Sequence, residues 1–74
     1  MEIKPGQIWR HYKGGMYHIV ALPQNNQTDE LFDMVVYEDT TDTSKIWTQS
    51  KERFLSTEEW QGETVARFTF VSDN

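Results

Sequence analysis

The sequence predicts a small all-β domain, and three observations support this fold class. Short alternating runs rich in Val, Ile, Thr, Trp, Tyr and Phe recur along the chain, and turn residues separate them. No window repeats apolar residues at helical spacing for three turns. The 74 residues suffice for one domain, whose core has to be compact and rich in aromatic side chains.

The first half of the chain is predicted to contain three strands, which span about residues 7–12, 16–22 and 32–37. Pro5-Gly6 is the turn that starts the first strand. Lys13-Gly14-Gly15 is a hairpin loop, because glycine supplies the positive φ that tight loops require. The polar stretch from Pro23 to Thr28 has little to bury and is predicted to be a mobile loop.

Two registers are open for the first hairpin. A three-residue loop from Lys13 to Gly15 would place Arg10 opposite His18, whereas a two-residue Gly-Gly loop would pair His11 with His18. We favour the three-residue loop, because it clusters the large apolar residues of the hairpin on one core-facing side: Trp9 opposite Ile19, with Tyr17.

The second half is predicted to contain a strand over residues 46–48, a helical turn from Ser50 to Phe54, and a final hairpin. Ser50 is the expected N-cap and Phe54 points inward. The hairpin joins residues 57–60 and 64–71, with Phe68 and Phe70 on one face. Five or six short strands with one helical turn describe a partly open, Src-homology-3-like barrel, ordered from about residue 4 to 71 within a single domain 1–74. A ferredoxin-like fold would need two longer helices.

The composition argues against several classes of function. Seven Lys and Arg stand against twelve Asp and Glu, so the net charge is -5 and nucleic-acid binding through many phosphate contacts is disfavoured. The chain has no cysteine for a disulfide or a thiolate nucleophile, and its two histidines are too few for a structural zinc site. No apolar run approaches the roughly 20 residues that span a bilayer. We therefore expect a cytoplasmic monomer or weak homodimer, without membrane attachment, metal or cofactor.

A series of motifs extends over nearly the whole chain, from about Lys4 to Phe70. They are Pro5-Gly6, Arg10-His11-Tyr12-Lys13-Gly14, Tyr17, Ile19, Met34-Val35-Val36-Tyr37, Trp47, Phe54 and Arg67-Phe68. In this order they resemble the bacterial and phage family known as domain of unknown function 1653. The resemblance implies a small Src-homology-3-like roll, in agreement with the strand pattern, and it brings no established activity, cofactor or catalytic residue.

Two strings depart from the pattern usual in that family. Family members carry a His-Ser-Glu-Thr-like string where this chain has Gln27-Thr28-Asp29-Glu30, and Trp-Val-Arg-Pro where it has Trp47-Thr48-Gln49-Ser50. If the family's polar string and arginine build a ligand site, this chain keeps a hydroxyl and a carboxylate there, from Thr28 and Asp29. It lacks the imidazole and the cation, which weakens any inference about the ligand.

The candidate site lies around the first hairpin. Residues 1–27 carry a balance of +2 and residues 28–74 one of -7, so this hairpin is the electropositive part of the chain. Alternation sends Arg10 and Tyr12 to one face, and a guanidinium beside a ring suits phosphate, carboxylate or a nucleobase. The predicted ligand-binding residues are Arg10, Tyr12, Lys13, His18, Thr28, Asp29 and Trp47. A structural reading stays open, in which Arg10 pairs with Asp29 or Glu30 and Lys13 only serves the turn.

Four further residues carry separate expectations. His11 is expected to donate a ring proton to a backbone carbonyl rather than to act as a base. Trp47 lies either in the core or at the rim of the barrel, and Trp60 is partly exposed near a turn. Arg67 is expected to reach a carboxylate across the sheet.

The function predicted from these residues is a non-enzymatic binding module for a small anionic molecule, such as a nucleotide, or for an acidic peptide. The alternative is a protein-interaction or inhibitor protein of phage origin, which would meet a basic partner through Trp60 and an acidic face: Glu38, Asp39, Asp42, Glu58 and Glu59. An enzyme is the third hypothesis, since the sequence holds no P-loop, GxGxxG or HExxH string.

Overall fold

Strands account for most of the described chain. The computed structural model describes residues 3–25 and 32–73, and within these ranges it contains eight strands and one four-residue helix. In chain order these are β1 (Ile8–His11), β2 (Met16–Ala21), β3 (Gln24–Asn25), β4 (Phe32–Asp39), β5 (Ile46–Ser50), α1 (Lys51–Phe54), β6 (Thr57–Trp60), β7 (Glu63–Ala66) and β8 (Phe68–Ser72).

Five strands form the main sheet, which is antiparallel in the order β5-β4-β2-β1-β8. β3 pairs with the start of β4, and β6 and β7 form a separate hairpin. Within the described ranges, β5 and β8 are the outer strands of the main sheet, and they do not pair with each other. The predicted class is therefore confirmed: a small all-β, Src-homology-3-like barrel that is partly open and carries one helical turn.

The register of the first hairpin differs from both predicted registers. Trp9 lies opposite Tyr17, and Arg10 lies opposite Met16 rather than His18. The loop has three residues, as expected, but it begins one residue earlier, at Tyr12. The N–H of Gly14 donates to the carbonyl of His11 at 2.9 Å, and Gly14 has the positive φ of +100° that this type of loop requires at its last position.

The inner face of the main sheet packs against α1 and forms the hydrophobic core. The rings of Phe54 and Phe68 stack in parallel with centroids 4.0 Å apart, and Trp9 meets Phe54 edge-on at 5.5 Å. Gln7 is buried, and its Oε1 accepts the indole N–H of Trp9 at 3.0 Å, so the polar atom of this buried ring is satisfied. The buried apolar side chains are Ile3, Trp9, Ile19, Val35, Phe54 and Phe68.

α1 forms as predicted, at the end of β5. Ser50 has an extended backbone, and its hydroxyl accepts the N–H of Arg53 at 3.1 Å, so it caps the helix. Phe54, at the end of the single turn, is fully buried. The turn is held by this burial, since a helix of four residues is not stable alone.

The described part of the chain contains two more strands than the sequence predicted. Residues 24–25, which we expected to lie in a loop, form β3 against Phe32 and Asp33 of β4; residues 26–28 of that loop lie outside the described ranges. The strand predicted over residues 64–71 is split at Arg67, whose N–H donates to Ser56 while its carbonyl accepts from Tyr12. At this residue the chain leaves the β6–β7 hairpin and joins the main sheet.

Candidate functional site

The main sheet separates Arg10 from Trp47. Trp9 is buried in the core, so its exposed neighbour Arg10 lies on the outer face of the sheet. Trp47 pairs with Tyr37, and the two rings stack on the inner side with centroids 5.9 Å apart. Trp47 is 41% exposed and so lies at the rim rather than within the core. The expectation that Arg10 and Trp47 converge on one ligand is not met.

His18 lies on the outer face with Arg10 but has a different partner. Its Nδ1 is 3.2 Å from Oε1 of Glu38, which is its cross-strand neighbour on β4. This contact engages the imidazole of His18 with a neighbouring strand of the same sheet. The predicted site residues Thr28 and Asp29 lie outside the described ranges.

Arg10, Tyr12 and Lys13 do stay together, beside a cleft between the β1–β8 part of the main sheet and the β6–β7 hairpin. The cleft has a volume of about 320 Å³. Among the described residues, its lining contains one guanidinium, the rings of a histidine, a tyrosine and a tryptophan, and no carboxylate. The lining residues are Arg10, His11, Tyr12, Gly14, Trp60, Val65, Ala66 and Thr69. We call it the Arg10 cleft.

Lys13 adds a second positive charge next to this cleft. Its Nζ lies 5.7 Å from the ring centroids of both Tyr12 and Trp60. The two rings meet edge to face at 5.4 Å. These distances are within the range of cation–π attraction, so the ammonium and the two rings support one another.

His11 joins the cleft to the core. Its ring centroid lies 4.6 Å from that of Tyr12 and 5.1 Å from that of Phe68. Nδ1 accepts the backbone N–H of Lys13 at 3.1 Å, so the neutral ring carries its proton on Nε2. The ring thus accepts a backbone hydrogen bond, although we expected it to donate one. Burial lowers the pKa of the imidazole, and the positive charges of Arg67 and Lys13 lower it further.

An ion pair holds the β6–β7 hairpin beside the main sheet. The guanidinium of Arg67 bonds Oε1 of Glu58, which confirms the prediction that Arg67 reaches a carboxylate. The two side chains are 21% and 32% exposed. The backbone of Arg67 also donates to Ser56, which precedes β6, and accepts from Tyr12, which follows β1, so this residue links the two walls of the cleft.

A second depression, of about 420 Å³, lies on the far side of this ion pair. Its lining residues are Ser50, Glu52, Arg53, Ser56, Glu58 and Arg67. Two carboxylates balance two guanidinium groups, and both serine hydroxyls bond the backbone of Arg53. Nε of Arg67 is a buried atom without a hydrogen-bond partner in the described ranges. Since the other polar groups are largely engaged, we assign no ligand here.

Residues 3–25 and 32–73 contain neither a metal-binding cluster nor a membrane-spanning helix. No group of three or more His, Asp or Glu side chains in these ranges is arranged to hold a metal ion. No helix in them is long and apolar enough to cross a membrane.

Sequence reasoning missed the contribution of the β6–β7 hairpin to the cleft. Trp60 is 38% exposed, as predicted, yet its place opposite Tyr12 was not foreseen. The available signal was that each ring stands next to a glycine turn, Lys13-Gly14-Gly15 or Gln61-Gly62. Nothing in the sequence shows that the tips of two separate hairpins meet.

Comparison with known proteins defines the family. Residues 7–70 match the family described as protein of unknown function DUF1653. The crystal structure of a DUF1653 protein from Bordetella bronchiseptica is similar to this chain, with a TM-score of 0.76 and 27% sequence identity, over 96% of this chain and 90% of that one. No curated protein matches the chain. The fold, the motifs and both similarities agree, and the chain belongs to the DUF1653 family of proteins of unknown function.

Proposed function

We propose that this protein is a non-enzymatic binding module that holds a small anionic molecule with a planar group, such as a nucleotide, in the Arg10 cleft. The observation that carries the proposal is the lining of the cleft. Among the described residues it has a guanidinium, the half-buried ring of Tyr12 and the exposed ring of Trp60 but no carboxylate, in a chain of net charge -5. A guanidinium binds phosphate or carboxylate through two parallel hydrogen bonds, and rings such as Tyr12 and Trp60 offer stacking faces to a base.

Two cations, from Arg10 and Lys13, lie at or beside the cleft. Neither Arg10 nor Lys13 forms an ion pair within the described ranges. Together they would offset the two negative charges of a phosphate group. The cleft volume of about 320 Å³ also falls at the lower end of the range that small-molecule sites occupy.

The cleft is better suited to binding than to catalysis. In the part of the lining that the structure describes, Thr69 supplies the one side-chain hydroxyl apart from the phenol of Tyr12, and there is no serine or cysteine. The Nδ1 of His11 is engaged with the N–H of Lys13. We place this binding function in the cytoplasm, where nucleotides and sugar phosphates are available; the solved family member comes from a bacterium.

The alternative proposal, an interaction protein with an acidic face, has less support from the side-chain contacts. Each carboxylate of that face accepts a bond from its own chain, which gives it a role in the fold. The pairs are Glu38 with His18, Asp39 with Thr41, Asp42 with Ser44, Glu58 with Arg67, and Glu59 with Thr64.

A thermal-shift screen tests the proposed function. Nucleotides, dinucleotides and sugar phosphates would be added to the purified protein, since a molecule that binds only the folded state raises the melting temperature. We expect a shift with at least one nucleotide, and we expect Arg10→Gln to remove it while leaving the melting temperature of the free protein within about 2 °C, because Arg10 is exposed and unpaired in the described ranges.

A pair of tryptophans provides the matched control. Trp60 and Trp47 are similarly exposed, at 38% and 41%, but only Trp60 lines the cleft. Trp60→Ala should therefore abolish the ligand shift, and Trp47→Ala should keep it. Equal loss in both variants, or no shift with any compound of the panel, would contradict the proposal. Unfolding of Arg10→Gln would show that Arg10 is structural.

A further inference from the structure

The outer edge of β5 carries unpaired backbone groups. The N–H of Asp39 donates to the carbonyl of Lys45 at 3.1 Å. This bond shows which residues of β5 are hydrogen-bonded to β4, because hydrogen-bonded and non-hydrogen-bonded pairs alternate along an antiparallel ladder. By alternation, Trp47 and Gln49 direct their backbone N–H and C=O groups toward β4. Ile46 and Thr48 direct theirs away from the sheet, where no strand of the described ranges pairs with them.

This edge lacks the features by which sheets usually block the addition of another strand. Residues 46–50 contain no proline and no charged side chain, and all five pair with β4 without a bulge. The pairing of β8 with β1 at the opposite side of the main sheet is interrupted by a register shift. Ile46 and Trp47 on β5 are 56% and 41% exposed, so one apolar side chain is available on each face of the strand.

The charges at the two ends of β5 indicate which kind of incoming strand would pair with this edge. Lys45 directly precedes β5 and Lys51 directly follows it, and neither forms an ion pair within the described ranges. Carboxylates at both ends of an incoming strand would face these two cations. A second copy of the chain fits less well, because two antiparallel β5 strands in full overlap would bring the Lys45 that precedes one strand near the Lys51 that follows the other, at both ends.

We propose that the edge of β5 binds an extended peptide as an added antiparallel strand, with an uncharged, β-branched centre and a carboxylate at each end. The backbone of Ile46 and Thr48 would supply the main-chain hydrogen bonds. Trp47, at the rim of the inner face, would contact the side chains of the peptide on that face. This site is separate from the Arg10 cleft and does not depend on the function proposed for it.

The test uses two synthetic peptides and the intact protein. Asp-Val-Thr-Val-Thr-Val-Glu carries an acid at each end, and a control peptide carries Lys in both end positions. We expect isothermal titration calorimetry to show binding of the acidic peptide, about tenfold tighter than that of the control, because two attractive end contacts become repulsive. The double variant Lys45→Gln, Lys51→Gln should reduce this preference, and so should added salt.

Proline substitutions distinguish strand addition from contact with side chains alone. Thr48→Pro removes an outward N–H that no described strand uses, so the fold should persist while peptide binding is lost. Gln49→Pro removes an N–H that bonds β4 and should lower the melting temperature instead. Peptide binding that survives in a folded Thr48→Pro variant would overturn the proposal.

Two further results bear on the proposal. If sedimentation shows a dimer that Thr48→Pro dissociates, and neither peptide binds, the edge serves a second copy of the chain and the peptide proposal is wrong. If Thr48→Pro does not fold, the double lysine variant decides: an unchanged preference for the acidic peptide would overturn the proposal. Arg10→Gln should leave peptide binding unaltered, which keeps this test separate from that of the cleft.

Discussion

The aromatic rings of this protein belong to two groups with different surroundings. In the core, Trp9, Phe54 and Phe68 are between 0% and 5% exposed and contact one another edge-on or in parallel. Beside the Arg10 cleft, Tyr12 and Trp60 also contact each other edge-on, at 5.4 Å, but a lysine ammonium lies over both rings. The edge-on contact of Tyr12 with Trp60 is similar to that of Trp9 with Phe54. The two groups differ in their exposure and in the charges near them.

This difference indicates that the two groups of rings have different roles. Buried rings stabilise the fold through the apolar area that they remove from water. The half-buried ring of Tyr12 and the exposed ring of Trp60 gain less from burial, and in the proposed function they offer a face to the ligand. His11 contacts both groups, since its ring lies between Tyr12 and Phe68. Substitutions of the core rings should therefore lower stability, and substitutions of the rings beside the cleft should mainly lower ligand binding.

The largest expected effect is that of Phe54→Ala. Phe54 is fully buried and stacks on Phe68, so the truncation should lower the free energy of unfolding by about 3–5 kcal/mol. Native proteins have a total stability of only about 5–15 kcal/mol, so this single substitution should remove a large share of it. Urea denaturation followed by circular dichroism measures the loss. A loss below about 1 kcal/mol would show that the core does not depend on this ring.

Glu58→Gln tests the connection between the core and the cleft. Arg67 would lose its charged partner in a partly exposed setting, so we expect a loss of about 1–2 kcal/mol in the free energy of unfolding. Ligand binding in the cleft should also weaken, because the ion pair fixes the β6–β7 hairpin. Glu59→Gln is the control, since the partner of Glu59 among the described residues is an exposed threonine hydroxyl, and it should change stability by less than about 0.5 kcal/mol. Equal effects of the two changes would refute a positioning role for the ion pair.

Trp60→Ala should cost less stability than either change above. Trp60 is 38% exposed and contacts Tyr12 and Lys13 rather than the core, so we expect a loss of about 1 kcal/mol or less. Chemical denaturation combined with the ligand screen shows whether binding is lost while stability is retained. A loss as large as that of Phe54→Ala would remove the distinction between the two groups of rings.

The pH dependence of stability should show the smallest effect. The pKa of His11 in the folded protein lies below its ordinary value of 6.5, so the unfolded chain binds this proton more tightly. Stability from this group is therefore complete above pH 6.5 and falls as the pH drops below it. His11→Gln should flatten this part of the melting-temperature profile between about pH 5 and 7. An identical profile in the variant would show that the surroundings of His11, including Arg67, Lys13 and Glu58, leave its proton affinity unchanged.

Alternation along the strands predicted the faces of the first hairpin correctly but not its register. The predicted and observed pairings of Trp9, with Ile19 and with Tyr17, differ by two residues along β2, and residues two apart share a face. The placement of Trp9, Tyr17 and Ile19 toward the core therefore held, although the pairing was wrong. Register depends on which glycine closes the loop, and Gly14 and Gly15 both tolerate positive φ.

The candidate site was predictable only where its residues are close in sequence. Arg10, Tyr12 and Lys13 lie on one hairpin, and local alternation with the loop brought them together. Trp60 and Trp47 come from distant segments, and tertiary packing decided which of them approaches that hairpin. The split of the last predicted strand at Arg67 has the same origin, because the backbone there bonds Ser56 and Tyr12, which are distant from each other in the sequence.

The pairing of β1 with β8 has a consequence for folding. It joins Ile8 to Ser72 and His11 to Phe68, residues from opposite ends of the sequence, and the closure of so long a loop is entropically costly and slow. The Arg10 cleft has one wall on β1 and another on β7, which immediately precedes β8 along the chain. A partly folded chain without this long-range pairing would lack the cleft, so the proposed ligand binding would report only those molecules that have completed folding.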